Sequence, residues 1–340
     1  MRFKVAVVIL NWNGERFLQK FLPNVLSNSK GDGISVFVAD NGSTDGSLNL
    51  LDSEFKNVIQ IRLDKNYGFA EGYNRALQQV DAEYFVLLNS DVEVTEGWLQ
   101  PLVEFMDSHP NAAACAPKIM DYSRKEYFEY AGAAGGFIDR FGYPFCRGRI
   151  LSEIEVDESQ YNEVVEIFWA SGACMFVRAS AYLSLGGLDD SFFAHMEEID
   201  LCWRFHNNGM KVWSVPISKV YHVGGGTLPN NNPHKLYLNY RNSLFMLHKN
   251  LHPKELLFIV LFRIILDWIS AFAYLTSFKF NFFKAVFTAH SHYFKNIKTF
   301  NKYRKSSRYT QFKPNSQILS KSILFQFFVL RNKQFSKIKF

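Results

Sequence analysis

Two aspartates close two short, β-prone apolar runs. Asp40 ends Val36-Phe37-Val38-Ala39-Asp40 ahead of Asn41-Gly42-Ser43, and Asp91 ends Tyr84-Phe85-Val86-Leu87-Leu88-Asn89-Ser90-Asp91. A run that is apolar at nearly every position, then cut off by polar and turn-forming residues, reads as a parallel strand buried on both faces. Ligands of open α/β sheets bind beyond the carboxyl ends of such strands. Two carboxylates there, neither beside a basic residue, point to one site for a ribose or base and another for a metal-bound phosphate.

The first half of the chain repeats this pattern. Strands are expected at 5–11, 34–40, 58–63 and 84–90, with helices after Trp12-Asn13-Gly14, at 46–54 and near 70–80. Ser43 and Thr44 are the expected caps of the second helix. Strand–helix alternation with short loops implies an α/β fold, a Rossmann-like, doubly wound, mostly parallel sheet. Beyond Asp91 the pattern loosens. A helix opened by Glu96 and Trp98 should run through 96–108, followed by a strand at 112–118. The Gly-, Tyr- and charge-rich stretch 121–165 reads as irregular acceptor-side structure with room for a hairpin. Residues 169–178 read as a turn entering a strand, Glu197 to Asn208 as a helix, and 211–215 and 219–223 as two short strands.

The charge is divided unevenly. Of 38 Lys and Arg residues, 14 lie in 268–340, where none of the 32 Asp and Glu residues occurs, so a net +6 splits into −8 and +14. A basic, Phe-rich tail on an acidic body suits an anionic surface. The adjacent apolar stretch Leu256 to Phe278 favours a membrane surface over nucleic acid. Arg263 and Asp267 interrupt that stretch and are costly in hydrocarbon. Four apart, they can pair on one helical face. An in-plane or packed amphipathic helix is therefore favoured over a spanning one. The four cysteines (Cys115, Cys146, Cys174, Cys202) form no CxxC pair and read as reduced core residues. With an N-terminus that lacks a signal-peptide h-region, this leads to the expectation of a cytoplasmic protein at the inner face of the cell membrane.

Several short stretches, in order, resemble the family 2 glycosyltransferases of the GT-A fold, in their rhamnosyltransferase-like branch. They are Val7-Val8-Ile9-Leu10-Asn11-Trp12-Asn13, Val38-Ala39-Asp40-Asn41-Gly42-Ser43-Thr44-Asp45-Gly46, Asn66-Tyr67-Gly68-Phe69-Ala70, Leu87-Leu88-Asn89-Ser90-Asp91, Phe192 to Arg204, and Tyr221-His222-Val223-Gly224-Gly225-Gly226-Thr227. The resemblance covers roughly 4–250. It implies a transferase domain over 1–250 and a helical, basic extension over 251–340.

The resemblance also implies roles. Asp40 would meet the nucleotide base and ribose, accepting from a uracil or thymine N3–H or a ribose hydroxyl. Asn11, Asn13, Asn66, Gly68 and Asn74 would line the same donor site. Asn89-Ser90-Asp91 takes the DXD position, with Asp91 the ligand of Mn²⁺ or Mg²⁺ and Asn89 a departure from the strict pattern that removes one charge. His222 would complete the metal site. The following glycines and Asn230-Asn231-Asn232-Pro233 would form a closing loop. Glu197-Glu198 matches the family's acidic pair, whose second member deprotonates the acceptor hydroxyl and so inverts the sugar. Asp200 would orient Arg204 at i+4 beside the substrate. Trp169, Ser171 and Gly172 would face the acceptor, with Trp169 either stacked on a sugar or a core residue. Arg241 of Tyr240-Arg241-Asn242 would pair a phosphate or make a structural ion pair. The donor would be a UDP- or dTDP-sugar, with rhamnose favoured only by the branch and galactose, glucose, N-acetylated sugars and mannose from a guanosine donor left open. The acceptor would be a polysaccharide or lipid-linked saccharide.

Two other readings compete. A nucleotidyltransferase also ends strands in metal-holding carboxylates, but usually carries a Gly-rich basic loop after its first strand; Asn11-Trp12-Asn13-Gly14-Glu15 is not one. A non-catalytic lectin-like relative would have lost Asp91 and the Glu197-Glu198 pair, and all three are present.

Overall fold

The computed structural model describes residues 2–224, 232–306 and 316–340. The chain opens as β1 Phe3–Asn11, α1 Glu15–Asn28, β2 Ile34–Asn41, α2 Ser47–Glu54, β3 Ile59–Leu63, α3 Gly68–Leu77 and β4 Ala82–Asn89. β5 Val92–Val94, α4 Gln100–Ser108 and β6 Ala112–Asp121 follow. Then come four short strands: β7 Gly136–Asp139, β8 Pro144–Cys146, β9 Arg149–Ile150 and β10 Glu153–Ile154. β11 Val165–Ile167, β12 Cys174–Arg178, α5 Ala179–Ser184, α6 Glu197–Asn207 and β13 Lys211–His222 complete the α/β body. The rest is α7 Pro233–Asn250, α8 Pro253–Thr276, α9 Phe280–Ser306, β14 Ile318–Leu319 and α10 Ile323–Phe328.

The main sheet runs β11-β13-β6-β12-β4-β1-β2-β3, with β5 on β13. β4, β1, β2 and β3 are mutually parallel. β12 lies antiparallel between β4 and β6, so the start of β12 meets the carboxyl end of β4. Both faces are covered, which is why these strands are apolar throughout. Along β1, Ala6 and Val8 enter the core beneath α3, whereas Val5, Val7 and Ile9 enter the core beneath α1 and α4. Leu18, Leu22, Leu102 and Met106 close the second side; Tyr73, Ala76 and Leu77 close the first.

The departures from the expected elements are local. The fourth helix begins at Gln100, because Gly97 turns in the left-handed region at φ +69° and Trp98 is used as a buried plug. The two short strands expected at 211–223 are one strand, whose register against β6 shifts between Ser214 and Lys219. Pro216 lies in that shift and has no N–H to give the ladder. The irregular stretch holds a second sheet, β10-β9-β8-β7-β14. Its outer strand comes from the far end of the chain, since β14 pairs parallel with β7. Asp139 fastens this junction: Oδ2 accepts from Ile323 N at 2.9 Å, and Oδ1 from Phe141 N and Tyr143 N. Phe335 and Phe340 then pack on Phe137 and Phe145. All four cysteines are free and buried.

Candidate active site

The donor side is built at the ends of β1 and β2. Asn11 and Asp40 are cross-strand neighbours, and Asn11 Nδ2 donates to Asp40 Oδ2 at 3.1 Å. Asp40 Oδ1 accepts from Ser43 N at 2.9 Å, which folds the chain back over the strand end. Asn13 Oδ1 accepts from Thr44 N at 2.7 Å and ties the two loops together. Ser43 and Thr44 do not cap α2, contrary to expectation. Ser47 N instead donates to Asp45 Oδ1, and Gly46 N to Glu15 Oε2. Ser43 is thereby left to serve Asn11 and Asn13, through Oγ at 3.2 and 2.9 Å. Asn41, not singled out from sequence, holds the next loop. Its Nδ2 donates to Asn66 Oδ1 and Gly68 O, and its Oδ1 accepts from Tyr67 N. Gly68 sits at φ +77°, and a Cβ there would lie 2.5 Å from the Phe193 ring. Only glycine fits that close approach.

The loop after β4 continues the same rim. A Cβ on Gly14 would lie 3.4 Å from Ser90 Oγ, so the first loop and Asn89-Ser90-Asp91 are in contact range. His222, at the end of β13, places Nε2 at 3.1 Å from Asp91 Oδ1 and 3.4 Å from Asn89 Nδ2. Its Nδ1 lies 3.3 Å from Oε1 of Glu129, a buried acid that no sequence pattern marked. Burial opposes a charged imidazole, but Glu129 and Asp91 outweigh it and push the His222 pKa up to about 10. Gly225, Gly226, Thr227, Asn230 and Asn231 lie outside the described residues.

The acidic pair stands at the start of α6. The residues before it are strained: Phe193, His195 and Met196 all have positive φ, at 64°, 70° and 73°. Such backbone is held only where its surroundings over-determine it. Here Asn242 of α7, wholly buried, directs Nδ2 at three carbonyls, Phe192 O, Ala194 O and His195 O, at 3.0, 2.8 and 2.7 Å. Arg241 donates to Ser191 O and Phe192 O. Phe193 O in turn accepts from Phe69 N and Ala70 N, linking the donor loop to the acids. Burial raises Glu198 to about 7, with first-turn backbone N–H groups pulling the other way. Burial and the neighbouring Glu198 raise Glu197 well above the carboxylate range. One carboxylate oxygen of each has no hydrogen-bond partner. Ser171 and Gly172 precede β12 beside them, and a Cβ on Gly172 would lie 3.9 Å from Glu198 Cβ. Asn89 N donates to Ala173 O, which closes the ring of contacts from Asp91 round to Glu198.

Residues 6–163 match the model of the glycosyl transferase family 2. Over that stretch the chain matches the family 2 glycosyltransferases, and it is a glycosyltransferase. It is 28% identical over 232 residues to the N-acetylglucosaminyl-diphospho-decaprenol L-rhamnosyltransferase of Mycobacterium tuberculosis, covering 64% of this chain and 75% of that one. It is 25% identical over 225 residues to rhamnosyltransferase WbbL of Escherichia coli K12, covering 64% and 83%. Among solved structures, GalNAc-T7 with UDP, GalNAc and Mn²⁺ superposes with a TM-score of 0.56 at 15% identity. That match takes in 73% of this chain and 48% of GalNAc-T7, so this glycosyltransferase spans about half the length of that neighbour. The shared fold is GT-A.

Within this glycosyltransferase five of the residues expected near substrate are engaged with protein groups. Asn74 spends its amide on the loop before α6: Nδ2 donates to Leu188 O and Asp190 Oδ1, and Oδ1 accepts from Tyr182 Oη and Leu188 N. Trp169 is a core residue. Its Nε1 donates to Phe137 O at 3.0 Å, and a Cβ on Gly136 would sit inside its ring. Asp200 and Arg204 do pair, with Nε to Oδ2 at 2.8 Å, but inside a buried network with Lys249 and Asn250. Arg204 also donates to Leu185 O and Gly187 O. Arg241 makes no ion pair among the described residues; besides the carbonyls named above it donates to Asn242 Oδ1 and Tyr237 Oη. Asn41 could have been found from its place next to Asp40; Glu129 and Asn242 join the site only through folding.

Proposed function

We propose that this glycosyltransferase inverts the anomeric centre of a UDP- or dTDP-linked hexose, rhamnose foremost. It would transfer the sugar to a lipid-linked or polysaccharide acceptor at the inner face of the cell membrane. One observation carries the reading: Glu198 is a half-buried carboxylate with one water-excluded, unsatisfied oxygen and a raised pKa, on the rim that also holds Asp40 and Asp91. A base with a pKa near the working pH combines availability with driving force and contributes roughly 10²–10⁴-fold. Glu198 would take the proton of the acceptor hydroxyl. The freed oxygen would attack the anomeric carbon as its bond to the nucleoside diphosphate breaks on the opposite face, so configuration inverts. Asp40, fixed by Asn11 and Ser43, would receive the ribose or base, and Asn66 and Gly68 the adjoining part of the nucleotide.

The donor set suits a hard divalent cation. Asp91 offers a carboxylate, Asn89 an amide oxygen once its side chain turns, and His222 a ring nitrogen once neutral. A set this small fits Mg²⁺ or Mn²⁺, which takes the rest of its shell from substrate phosphates and water. Glu129 beside the other ring nitrogen is the usual carboxylate partner of a ligating histidine. Bound there, the ion would offset charge developing on the leaving diphosphate. The names of the two rhamnosyltransferases support the sugar, the decaprenol-linked substrate of one supports the acceptor class, and GalNAc-T7 supports the ion.

The test is a thermal-shift titration with UDP, dTDP, GDP and CMP, each with and without Mn²⁺. A ligand that binds only the folded state raises its stability by mass action. The expected result is a Mn²⁺-dependent shift with UDP or dTDP that Asp91→Ala abolishes. Equal shifts with and without Mn²⁺ would remove the metal from the proposal, and a shift with GDP alone would reassign the donor.

A further inference from the structure

α8 is amphipathic the wrong way round for a soluble helix. Its two mid-helix charges point inward: Arg263 is 3% and Asp267 2% exposed. Arg263 donates to Phe141 O at 2.8 Å and lies over the Tyr143 ring, while Asp267 meets His290 of α9 at 3.1 Å. The outward face is apolar. Leu257, Phe258, Leu261, Ile265, Ile269 and Phe272 recur at helical spacing, each more than half exposed. Among the described helices α8 alone is long and apolar enough to cross a membrane, with a mean hydropathy of 2.2 over its most apolar stretch.

α9 extends the same face. Phe280, Phe287 and Phe294 repeat every seven residues and are each more than half exposed. Trp268 of α8 packs edge-on against Phe283 and Phe287 and joins the two stripes. Exposed lysines Lys279, Lys284, Lys295 and Lys298 flank them, and no acid follows Asp267. Contiguous exposed apolar surface rimmed by polar residues marks an interaction site.

We propose that α8 and α9 together form a docking face that lies in the plane of an anionic bilayer, with the apolar stripes at the acyl boundary and the lysines among the headgroups. Charge selects this occupant: apart from Glu255 at the start of α8, the charges flanking the apolar stripe are cations, which matches an anionic lipid surface. The packing selects the orientation. α8 rests along α7, α9 and the Phe141–Tyr143 loop, so a spanning pose would carry that loop and the lysines of α9 into hydrocarbon. The inference rests on these helices and not on the sugar-transfer reading, so either can fail alone.

The experiment uses the full chain and vesicles of phosphatidylcholine with or without phosphatidylglycerol. Co-sedimentation should require the anionic lipid and weaken with salt. Removing two flanking charges, Lys284→Gln with Lys298→Gln, should cut partitioning by about tenfold or more, at about 1 kcal/mol per lysine. Phe258→Ser with Ile265→Ser should cut it by at least as much, and both positions are exposed enough to spare the fold. Trp268 reports depth. Lipids brominated near the carboxyl end should quench its fluorescence more than lipids brominated near the terminal methyl, and Trp268→Phe should remove the effect. Equal sedimentation with neutral vesicles would overturn the charge argument. Stronger quenching by the deep bromines would overturn the in-plane pose. A stable lipid-free dimer that the serine variants dissociate would assign the face to a second copy instead.

Discussion

Glu198 and Asp200 stand two residues apart on α6, the first half-buried and the second wholly buried, and differ in what surrounds them. Asp200 accepts from Arg204, Lys249 and Asn250, all at 2.7–2.9 Å. Glu198 leaves an oxygen without a partner, and burial raises its pKa. The second arrangement carries a free-energy cost that a purely structural carboxylate would not be left to bear. A carboxylate is marked for chemistry by the partners it lacks, and for architecture by those it has. Sequence spacing cannot separate the two, because Lys249 and Asn250 lie about 50 positions downstream and reach Asp200 only when α7 packs on α6.

The sharpest way to break the comparison is to neutralise each acid in turn. Glu198→Gln should lower turnover by roughly 10²–10⁴-fold while UDP or dTDP still stabilises the protein. Single-turnover kinetics beside a nucleotide thermal shift would check it; near-normal turnover would end the assignment of Glu198 as the base. Asp200→Ala should do the reverse. It removes the acid that Arg204 and Lys249 share, leaving Arg204 without a carboxylate and Lys249 with Asp189 alone, and should cost about 3–5 kcal/mol of stability, with activity per folded molecule largely kept. Chemical denaturation with activity measured on the folded fraction distinguishes the two outcomes.

Asn242 sharpens the same contrast, since it acts on Glu198 from a distance. Loss of its three bonds should let the strained residues 193–196 relax and displace the acid. A misplacement of about 1 Å can cost 10²-fold. Asn242→Ala is therefore expected to lower kcat by roughly 10–100-fold with donor KM little changed, and Asn242→Gln to leave more activity than alanine. A rise in donor KM with kcat intact would instead assign Asn242 to the nucleotide loop that Phe193 supports.

The parts legible in the sequence are those fixed by short-range patterning. Parallel strands announce themselves because burial on both faces removes polar residues, and Asn11, Asp40 and Asn89 follow at their ends because that is where the apolar runs stop. The parts that were not legible depend on long-range closure. β7 to β10 are too short to show a period, and their fifth strand, β14, comes from the far end of the chain. Glu129 reaches His222 across nearly a hundred residues. Trp169 could be a sugar platform or a core plug by sequence, and only the Phe137 carbonyl at 3.0 Å decides it.

The smallest effect is a pH dependence, and its sign is opposite for catalysis and stability. Burial raises Glu198 from the usual 4.5 to about 7 in the folded protein. Activity that needs the ionised base should rise with pH through an apparent pKa near 7, shared in part with Glu197 because the pair titrates together. Folding runs the other way. Between 4.5 and 7 the folded chain holds a proton that the unfolded chain has lost, so stability declines as pH rises across that window and is flat above it. Glu198→Gln cannot titrate there, so its stability should decline less than that of the parent between pH 5 and 8. Denaturation midpoints of the two proteins at matched ionic strength would show it. Parallel midpoints would mean that Glu198 keeps its carboxylate well solvated, and the contrast with Asp200 would then rest on hydrogen bonding alone.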